Sequence, residues 1–228
     1  MRSVSRFGLL LTVWGGCAAK YEPPADEEVD GAVAEPDAAA SDVDAAPGPD
    51  APPPRAYPAG PYGTATGRVI VNLAWQGFRD TGADADHDPF NEAAHTVSLE
   101  DYFVGRDPGS RLLIITSSAG WCAACQEEAT HMPGMAAEWS PRGVRFLTAM
   151  LEDEAGRPCP IAFAREWGLD FDLTTDVVAD PQALLDPYYS SNSIPFNLFI
   201  ETDGMTIVRK MHGWDDDVAE GIFDAYAD

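Results

Sequence analysis

The chain has 228 residues, which is enough for one ordinary domain with extensions. Its formal net charge of −24 argues against nucleic acid and anionic lipid as binding partners, because their phosphate groups would be repelled. Hydrophobic residues make up 45% of the chain, which permits a buried core, and the four cysteines are too few for a disulfide-stapled scaffold.

Residues 1–17 have the pattern of a secretory signal. Arg2 and Arg6 precede an apolar stretch, 7–14, which is too short to cross a bilayer as a helix. Two glycines and Cys17 follow, and this ending resembles the lipobox of bacterial lipoproteins. In that family the signal is cut before the cysteine, which carries a lipid. The resemblance implies lipidation of Cys17 and a membrane anchor in the bacterial cell envelope, and ordinary secretion with an unmodified Cys17 is the alternative.

Residues 18–60 form a predicted linker of different composition. From 21 to 54 the sequence is mostly Ala, Pro, Asp and Glu, and it contains no Lys or Arg. With almost no large apolar side chains, this stretch cannot offset its ordering entropy, and proline and like-charge repulsion favour an extended chain. The sequence therefore predicts a disordered tether in front of a globular domain over 61–228.

The globular part begins with a predicted strand over 67–73 and a polar loop over 80–91. Asp84, Asp86 and Asp88 stand at alternate positions in this loop, as they would in a calcium loop. A proline occupies the place where an EF-hand requires glycine, so an acidic surface loop is the favoured interpretation and calcium the alternative.

The remaining elements alternate between apolar strands and helices. In chain order we predict a short helix or turn over 97–103, a strand over 112–116, a helix from 121 that is bent or ends near Pro133, a strand over 144–151, a helix over 160–167, a short edge strand over 177–179, a helix over 182–189, a strand over 196–200, an antiparallel strand over 205–211 and a helix over 215–226. This order predicts an α/β fold, with a central mixed β-sheet and helices on both faces.

The sequence Trp-Cys-Ala-Ala-Cys over 121–125 follows a buried strand and opens a helix. C-x-x-C in this position is the pattern of a redox-active dithiol. A structural disulfide or half of a zinc site is the alternative, but zinc needs further ligands and the histidines are scattered. We therefore expect no metal and no cofactor.

Two more features accompany this motif: Ile194 and Pro195 stand directly before the hairpin strand, and Gly213 separates the last strand from the last helix. Together the three features resemble the thioredoxin-like superfamily, and in style the envelope-anchored, TlpA-like thiol–disulfide oxidoreductases and redoxins of bacteria. The resemblance covers 67–228 and implies a thioredoxin-like fold. It also implies that the Ile194–Pro195 bond is cis and that Pro195 lies against the active-site cysteines.

Each cysteine of the motif has a predicted role. Cys122 is the expected nucleophile, because a helix N-terminus stabilises a thiolate, and Cys125, one turn inside, is the expected resolving thiol. Trp121 and Ile194 are expected to flank the site and contact substrate, and for Trp121 a merely structural role is the alternative.

Resolution requires an acceptor for the proton of Cys125. Thioredoxins, which this chain resembles, carry a buried Asp on the preceding strand, and Thr116 occupies that place here. Glu128 matches the position of a glutamate near the site in the membrane-anchored relatives and is the expected substitute. An exposed helix carboxylate is the alternative interpretation of Glu128.

Cys159 is a possible third thiol. It follows the strand over 144–151 and precedes a helix, so its loop is expected at the same sheet edge as the motif. A helix N-terminus would favour a thiolate, which could exchange with Cys122. A partly buried, unpaired cysteine is the favoured alternative.

These features predict thiol–disulfide exchange in the cell envelope, as a disulfide reductase or electron carrier. The expected partners are protein or small-molecule disulfides, an upstream thiol donor and the membrane, without nucleic acid. A thiol peroxidase of the peroxiredoxin type is one alternative, although the proline and threonine of that family's pattern are missing before Cys122. The other is a non-enzymatic copper-binding module of the same fold, which would need His131 or His212 as a third ligand.

Overall fold

The computed structural model describes residues 55–82, 87–189, 191 and 193–227. The predicted signal segment with Cys17, most of the predicted linker, and Asp84 and Asp86 of the acidic loop lie outside these residues. Within the described ranges, none of the helices combines the length and apolar character that a membrane span requires.

The described residues fold around a seven-stranded mixed sheet with the order β2-β1-β5-β4-β3-β6-β7. Strands β3, β4 and β5 run parallel to one another, and every other neighbouring pair is antiparallel. The strands are β1 Ala74–Phe78, β2 His95–Ser98, β3 Leu112–Ala119, β4 Val144–Glu152, β5 Asp176–Ala179, β6 Phe196–Glu201 and β7 Thr206–His212. The α-helices are α1 Ala123–Trp139, α2 Ile161–Asp170 and α3 Asp216–Tyr226, and short 3-10 helices cover Pro89–Asn91, Leu99–Tyr102, Ser140–Arg142 and Asp186–Tyr188.

The two faces of the sheet bury separate apolar clusters, because successive side chains of a strand point to opposite faces. In β3, Ile114 belongs to the first cluster and its neighbour Ile115 to the second. The three α-helices contribute Met132, Trp167 and Phe223 to the first cluster. All eight residues of β3 are buried, as expected for a central strand that is covered on both faces.

The second face is covered by 3-10 helices and by the chain that precedes β1. Leu99 and Tyr102 of one 3-10 helix and Tyr188 of another belong to the second cluster, together with Ile70. The predicted mixed sheet with helices on both faces is therefore confirmed, and the helices of the second face are of the 3-10 type.

The described chain enters the domain beside the turn between β6 and β7. Arg55 Nη1 lies 2.5 Å from Asp203 Oδ1 in that turn, and the guanidinium of Arg55 lies over the ring of Phe103. The ring of Tyr57 also contacts Phe103, and its hydroxyl donates to the carbonyl of Ile70 at 3.0 Å. These contacts fix the start of the domain to the end of β6 that is distant from Pro195.

The predicted strand over 67–73 is wrong. Val69 makes only isolated bridges, and β1 begins after this segment. Gly67 has a φ of +82°, which turns the backbone, and Ile70 is fully buried in the second cluster. The segment hydrogen-bonds to the start of β7 through the backbone of Gly67, Arg68 and Ile70, without forming a regular strand, and of its side chains only that of Ile70 is buried.

The predicted α-helix over 182–189 is also wrong, because only a 3-10 turn forms over Asp186–Tyr188. Ala183 has a φ of +52°, and Pro187 lacks the N–H that an α-helix needs. Asp180 accepts a hydrogen bond at 2.9 Å from the backbone N–H of Leu184, as a residue that precedes a helix would. The proline then prevents an α-helix from continuing through this segment.

Two further predictions need correction, and the others named here are confirmed. The helix that follows the motif does not end at Pro133 but continues to Trp139, which is buried against α3 through Phe223. The strand predicted over 177–179 exists as β5, but it lies between β1 and β4 rather than at an edge. The predicted strands over 112–116, 144–151 and 196–200 and the last helix are confirmed.

Candidate active site

Cys122 and Cys125 form a disulfide at the N-terminus of α1. Cys122 is the N-cap, and its Sγ accepts a hydrogen bond from the backbone N–H of Cys125 at 3.2 Å. The same amide would stabilise a thiolate on Cys122 once the disulfide is reduced. Cys122 is 6% exposed and Cys125 1%, so Cys122 is the sulfur that a partner can reach first.

The turn that carries the cysteines is built around Gly120. Its N–H donates to the carbonyl of Glu152 at the end of β4, at 2.9 Å. A Cβ at this position would collide with the ring of Phe163 and the backbone of Glu154. This close approach fixes the disulfide at the edge where the parallel strands β3 and β4 end.

The Ile194–Pro195 peptide bond is cis, which confirms the prediction. The carbonyl oxygen of Ile194 lies 3.8 Å from Cys122 Sγ, and Pro195 is buried. The carbonyl of Pro195 accepts a hydrogen bond from the N–H of Gly213 at 2.8 Å. The three sequence features that resemble thioredoxin-like proteins therefore meet at one place.

Glu128 lies inside the protein and is only 5% exposed. Its Oε1 lies 3.3 Å from Thr116 Oγ1, and its Oε2 lies 3.4 Å from Asn197 Nδ2. Burial raises the pKa of Glu128 to about 7, because desolvation disfavours the charged carboxylate. The exposed-carboxylate alternative is therefore wrong, and the group can exchange a proton near neutral pH.

Asn197 is a site residue that sequence reasoning missed. It lies in β6, two residues after Pro195, and is fully buried. Its Nδ2 donates to the carbonyl of Gly213 at 3.0 Å, and its Oδ1 lies 2.6 Å from Thr116 Oγ1. The available signal was one amide in an otherwise apolar predicted strand, since a buried amide must find hydrogen-bond partners.

An open groove of about 480 Å³ runs between α1 and the start of α3, next to the disulfide. Glu128 and Pro195 line its inner end, and Glu127, His131 and Asp216 place ionisable groups along its walls. Glu128 therefore lies between a buried hydrogen-bond network and a groove that admits solvent.

Trp121 and Ile194 keep part of their surface free beside Cys122. Trp121 is 53% exposed, and its Nε1 donates to Glu152 Oε2 at 2.7 Å. Ile194 is half-buried. Both positions leave apolar surface for the predicted contact with substrate.

Cys159 is buried and is the free cysteine of the described chain. Burial raises the pKa of Cys159 to about 12, and the nearby charge of Asp153 acts in the same direction. The expectation that its place before α2 would favour a thiolate is wrong, because desolvation outweighs the backbone N–H of Ala164. Exchange between Cys159 and Cys122 stays a hypothesis.

The reactivity of Cys159 tests that hypothesis. At pH 8 in the native oxidised protein, we expect iodoacetamide to modify Cys159 about 10²–10³-fold more slowly than an ordinary thiol, because so little thiolate is present. Mass-spectrometric mapping of the Cys159 peptide over time gives the rate, and the same protein unfolded in denaturant is the control. Labelling at the unfolded rate would instead support a relay thiol.

Among residues 55–82, 87–189, 191 and 193–227, no cluster of three His, Cys, Asp or Glu side chains is arranged to hold a metal ion. His131 lines the groove, and Nδ1 of His212 lies 3.0 Å from the carbonyl oxygen of Ser193.

Neither a protein-family model nor a curated protein matches the sequence. Solved structures do match. A candidate protein disulfide isomerase from Bacteroides thetaiotaomicron is 14% identical over 74% of this chain and 91% of its own, with a TM-score of 0.52. A DsbF homologue from Corynebacterium diphtheriae is 12% identical over 69% of this chain and 86% of its own, also at 0.52. AhpC from Enterococcus faecalis is 11% identical over 70% of this chain and 90% of its own, with a TM-score of 0.51.

At this level of identity the likeness concerns the fold. It agrees with the mixed sheet, the helix that begins at the disulfide and the cis proline beside it. The chain therefore has the thioredoxin-like fold.

Proposed function

We propose that the protein is a thiol–disulfide oxidoreductase that acts through Cys122 and Cys125. The observation that carries this proposal is their disulfide at the N-terminus of α1, with Pro195 beside it and the buried Glu128 on the same helix. A dithiol with one activated, accessible sulfur and a second sulfur in reach is sufficient for exchange. The fold shared with a candidate protein disulfide isomerase supports the same class of reaction.

The reaction begins from the reduced pair. The Cys122 thiolate attacks one sulfur of a substrate disulfide, a new S–S bond forms, and the other substrate sulfur leaves as a thiolate. Cys125 then attacks the Cys122 sulfur, which restores the intramolecular disulfide and releases the second substrate sulfur as a thiolate. The substrate gains two electrons, and the protein loses two. An upstream dithiol of unassigned identity would restore the reduced pair by the reverse steps.

The second step requires that Cys125 lose its proton. Cys125 and Glu128 are three residues apart on α1, so their side chains lie on the same side of the helix, and both are buried. A carboxylate whose pKa is raised to about 7 is a matched base for a thiol at neutral pH. Glu128 is therefore our candidate for the proton acceptor, and the groove beside it returns the proton to solvent.

Trp121 and Ile194 are proposed to hold the substrate against Cys122. Their free surface borders the disulfide, and Ile194 also presents a carbonyl oxygen 3.8 Å from Cys122 Sγ. Protein or small-molecule disulfides would fit an open site of this kind.

We place this activity in the bacterial cell envelope, with a signal over 1–17, a lipid on Cys17, a linker over 18–60 and the catalytic domain over 61–228. The end of this linker, at Arg55 and Tyr57, packs against the domain. The lipobox-like ending of the signal and the acidic, proline-rich composition of the linker support this organisation. Intact-mass analysis of the mature protein is expected to show a chain that begins with lipidated Cys17. An unmodified cysteine would contradict the anchor.

The reduction potential of the Cys122–Cys125 pair tests the function and gives its direction. After equilibration in thiol–disulfide buffers, a reductant is expected near about −270 mV and an oxidant near about −120 mV. In the same buffers, turnover of a disulfide-bonded model protein must depend on the pair. If the pair does not exchange with the buffer within hours, the disulfide is structural and the proposed function is wrong.

A further inference from the structure

The hydrogen bonds around Glu128 have a defined direction. Asn197 Nδ2 donates to the carbonyl of Gly213 at 3.0 Å, and the flipped amide would place two oxygens together. This contact turns Oδ1 of Asn197 toward Thr116, whose Oγ1 lies 2.6 Å away. Because an amide oxygen only accepts, the Thr116 hydroxyl is the donor, and its one hydrogen is committed to Asn197.

The carboxyl group of Glu128 then faces a hydroxyl oxygen that has no second hydrogen to give. Glu128 Oε1 lies 3.3 Å from Thr116 Oγ1. A hydrogen bond across this distance forms only if the carboxyl group is protonated and is itself the donor. The other oxygen, Oε2, accepts the second N–H of Asn197 Nδ2 at 3.4 Å, while the first N–H of the same group donates to Gly213. This contact is available to the carboxyl group in either protonation state.

We propose that Thr116 and Asn197 are positioning residues that hold a proton on Glu128 in the oxidised protein, in which Cys122 and Cys125 are joined. The inference rests on the proposed role of Glu128 as proton acceptor. Glu128 donates to Thr116, and Thr116 donates to Asn197. The amide of Asn197 donates in turn to the backbone of Gly213, so every member of this buried network is paired.

Loss of the proton would break this order. Either Glu128 Oε1 would face the Thr116 oxygen with no hydrogen between them, or the Thr116 hydroxyl would rotate its hydrogen to the carboxylate and leave Asn197 Oδ1 buried without a donor. Both arrangements are unfavourable. The network therefore stabilises the product of the resolution step. In that step the Cys125 sulfur bonds to Cys122, the substrate leaves as a thiolate, and the proton of Cys125 remains on Glu128.

The other titratable groups near Glu128 are the same in the wild type and in every Thr116 variant, so they influence the pKa of Glu128 equally in all of them. The titratable side chains on the groove walls are Glu127 and His131 on α1 and Asp216 on α3. The residues that face Glu128 from β3 and β6 are Thr116 and Asn197, which do not titrate. Cys122 and Cys125 do not titrate while they are joined in the disulfide.

The test is the pKa of Glu128 in oxidised full-length protein, followed by NMR of ¹³C-labelled glutamate carboxyl groups. In Thr116→Val, which keeps the shape but removes the hydroxyl, we expect the pKa to fall by about 0.5 to 1 pH unit, because the protonated form loses its acceptor. Thr116→Ser is expected to restore the wild-type value. Thr116→Ala removes the same hydroxyl without adding a methyl group and is expected to shift the pKa in the same direction.

Thr148→Val is the matched control, because Thr148 pairs with Thr116 in the sheet and is also buried. We expect it to leave the pKa of Glu128 in place. A rise of the pKa in Thr116→Val and Thr116→Ala would show that the hydroxyl donates to the carboxylate, and an unchanged pKa would show that it does nothing. Either result overturns the network.

This measurement needs no substrate, so it separates the two proposals. If Glu128→Gln leaves the pH dependence of turnover unchanged, the role of Glu128 fails, whatever the Thr116 variants do. If Glu128→Gln removes that dependence while Thr116→Val leaves the pKa of Glu128 unchanged, only the network is wrong.

Discussion

Replacing Cys125 with serine is expected to stop turnover and to leave a stable mixed disulfide between Cys122 and the substrate. Cys122 is the more accessible sulfur and keeps its place at the helix N-terminus in this variant. Without the second sulfur, Cys125 can no longer displace the substrate from Cys122. Turnover should fall on the order of 10³-fold or more, because each molecule stops at the mixed disulfide after the first step.

Non-reducing electrophoresis and intact-mass analysis detect the trapped complex. Cys122→Ser should form no such complex, and Cys159→Ala should turn over normally, because Cys159 is buried and poorly ionised. A Cys125→Ser protein that turns over at the wild-type rate would show that the resolving thiol comes from the substrate or from a second molecule.

Glu128→Gln is expected to slow resolution about 10²-fold and to flatten its pH profile around pH 7. Removal of a general base has an effect of this size, and glutamine keeps the shape and the polar contacts of the side chain. Stopped-flow measurement of the second step across pH 5–9 gives the profile. Glu138→Gln is the matched control, since Glu138 is an exposed carboxylate on the same helix. A Glu128→Gln profile that follows the wild-type curve would assign the proton to another group.

The same substitution should alter stability in a predictable direction. The pKa of Glu128 is raised from its usual 4.5 to about 7, so the native state holds the proton more tightly than the unfolded state. The free energy of unfolding therefore falls as pH rises from about 4.5 to 7, by about 3 kcal/mol. Denaturation of oxidised wild-type and Glu128→Gln proteins at pH 4 and pH 8 should show that this part of the fall is absent from the variant.

The sequence predicted best those elements whose residue pattern can arise in only one way. The run of apolar residues in β3 indicated a strand covered on both faces, and that burial is what the structure shows. The segment over 67–73 also contains apolar residues, but only Ile70 is buried, and its backbone meets β7 through a few hydrogen bonds without forming a regular strand. The apolar pattern alone does not distinguish the two situations.

The site was predictable where its residues are close in sequence. Cys122, Cys125 and Glu128 lie within two turns of one helix, and their spacing of three residues places them on the same side of it. The partners of Glu128 come from β3 and β6, and Gly213 follows β7. No local pattern brings Thr116 and Asn197 together across 81 positions, so the network became visible only when the antiparallel register of β3 and β6 was known.

The first described residues of the domain lie far from the redox centre. Arg55 and Tyr57 lie at the far pole of the sheet, one length of β6, or about 20 Å, from Pro195. An attachment through the residues before Arg55 would therefore leave the surface around Cys122 uncovered. A partner arriving from solution would reach Cys122 without first meeting the segment that joins the domain at Arg55.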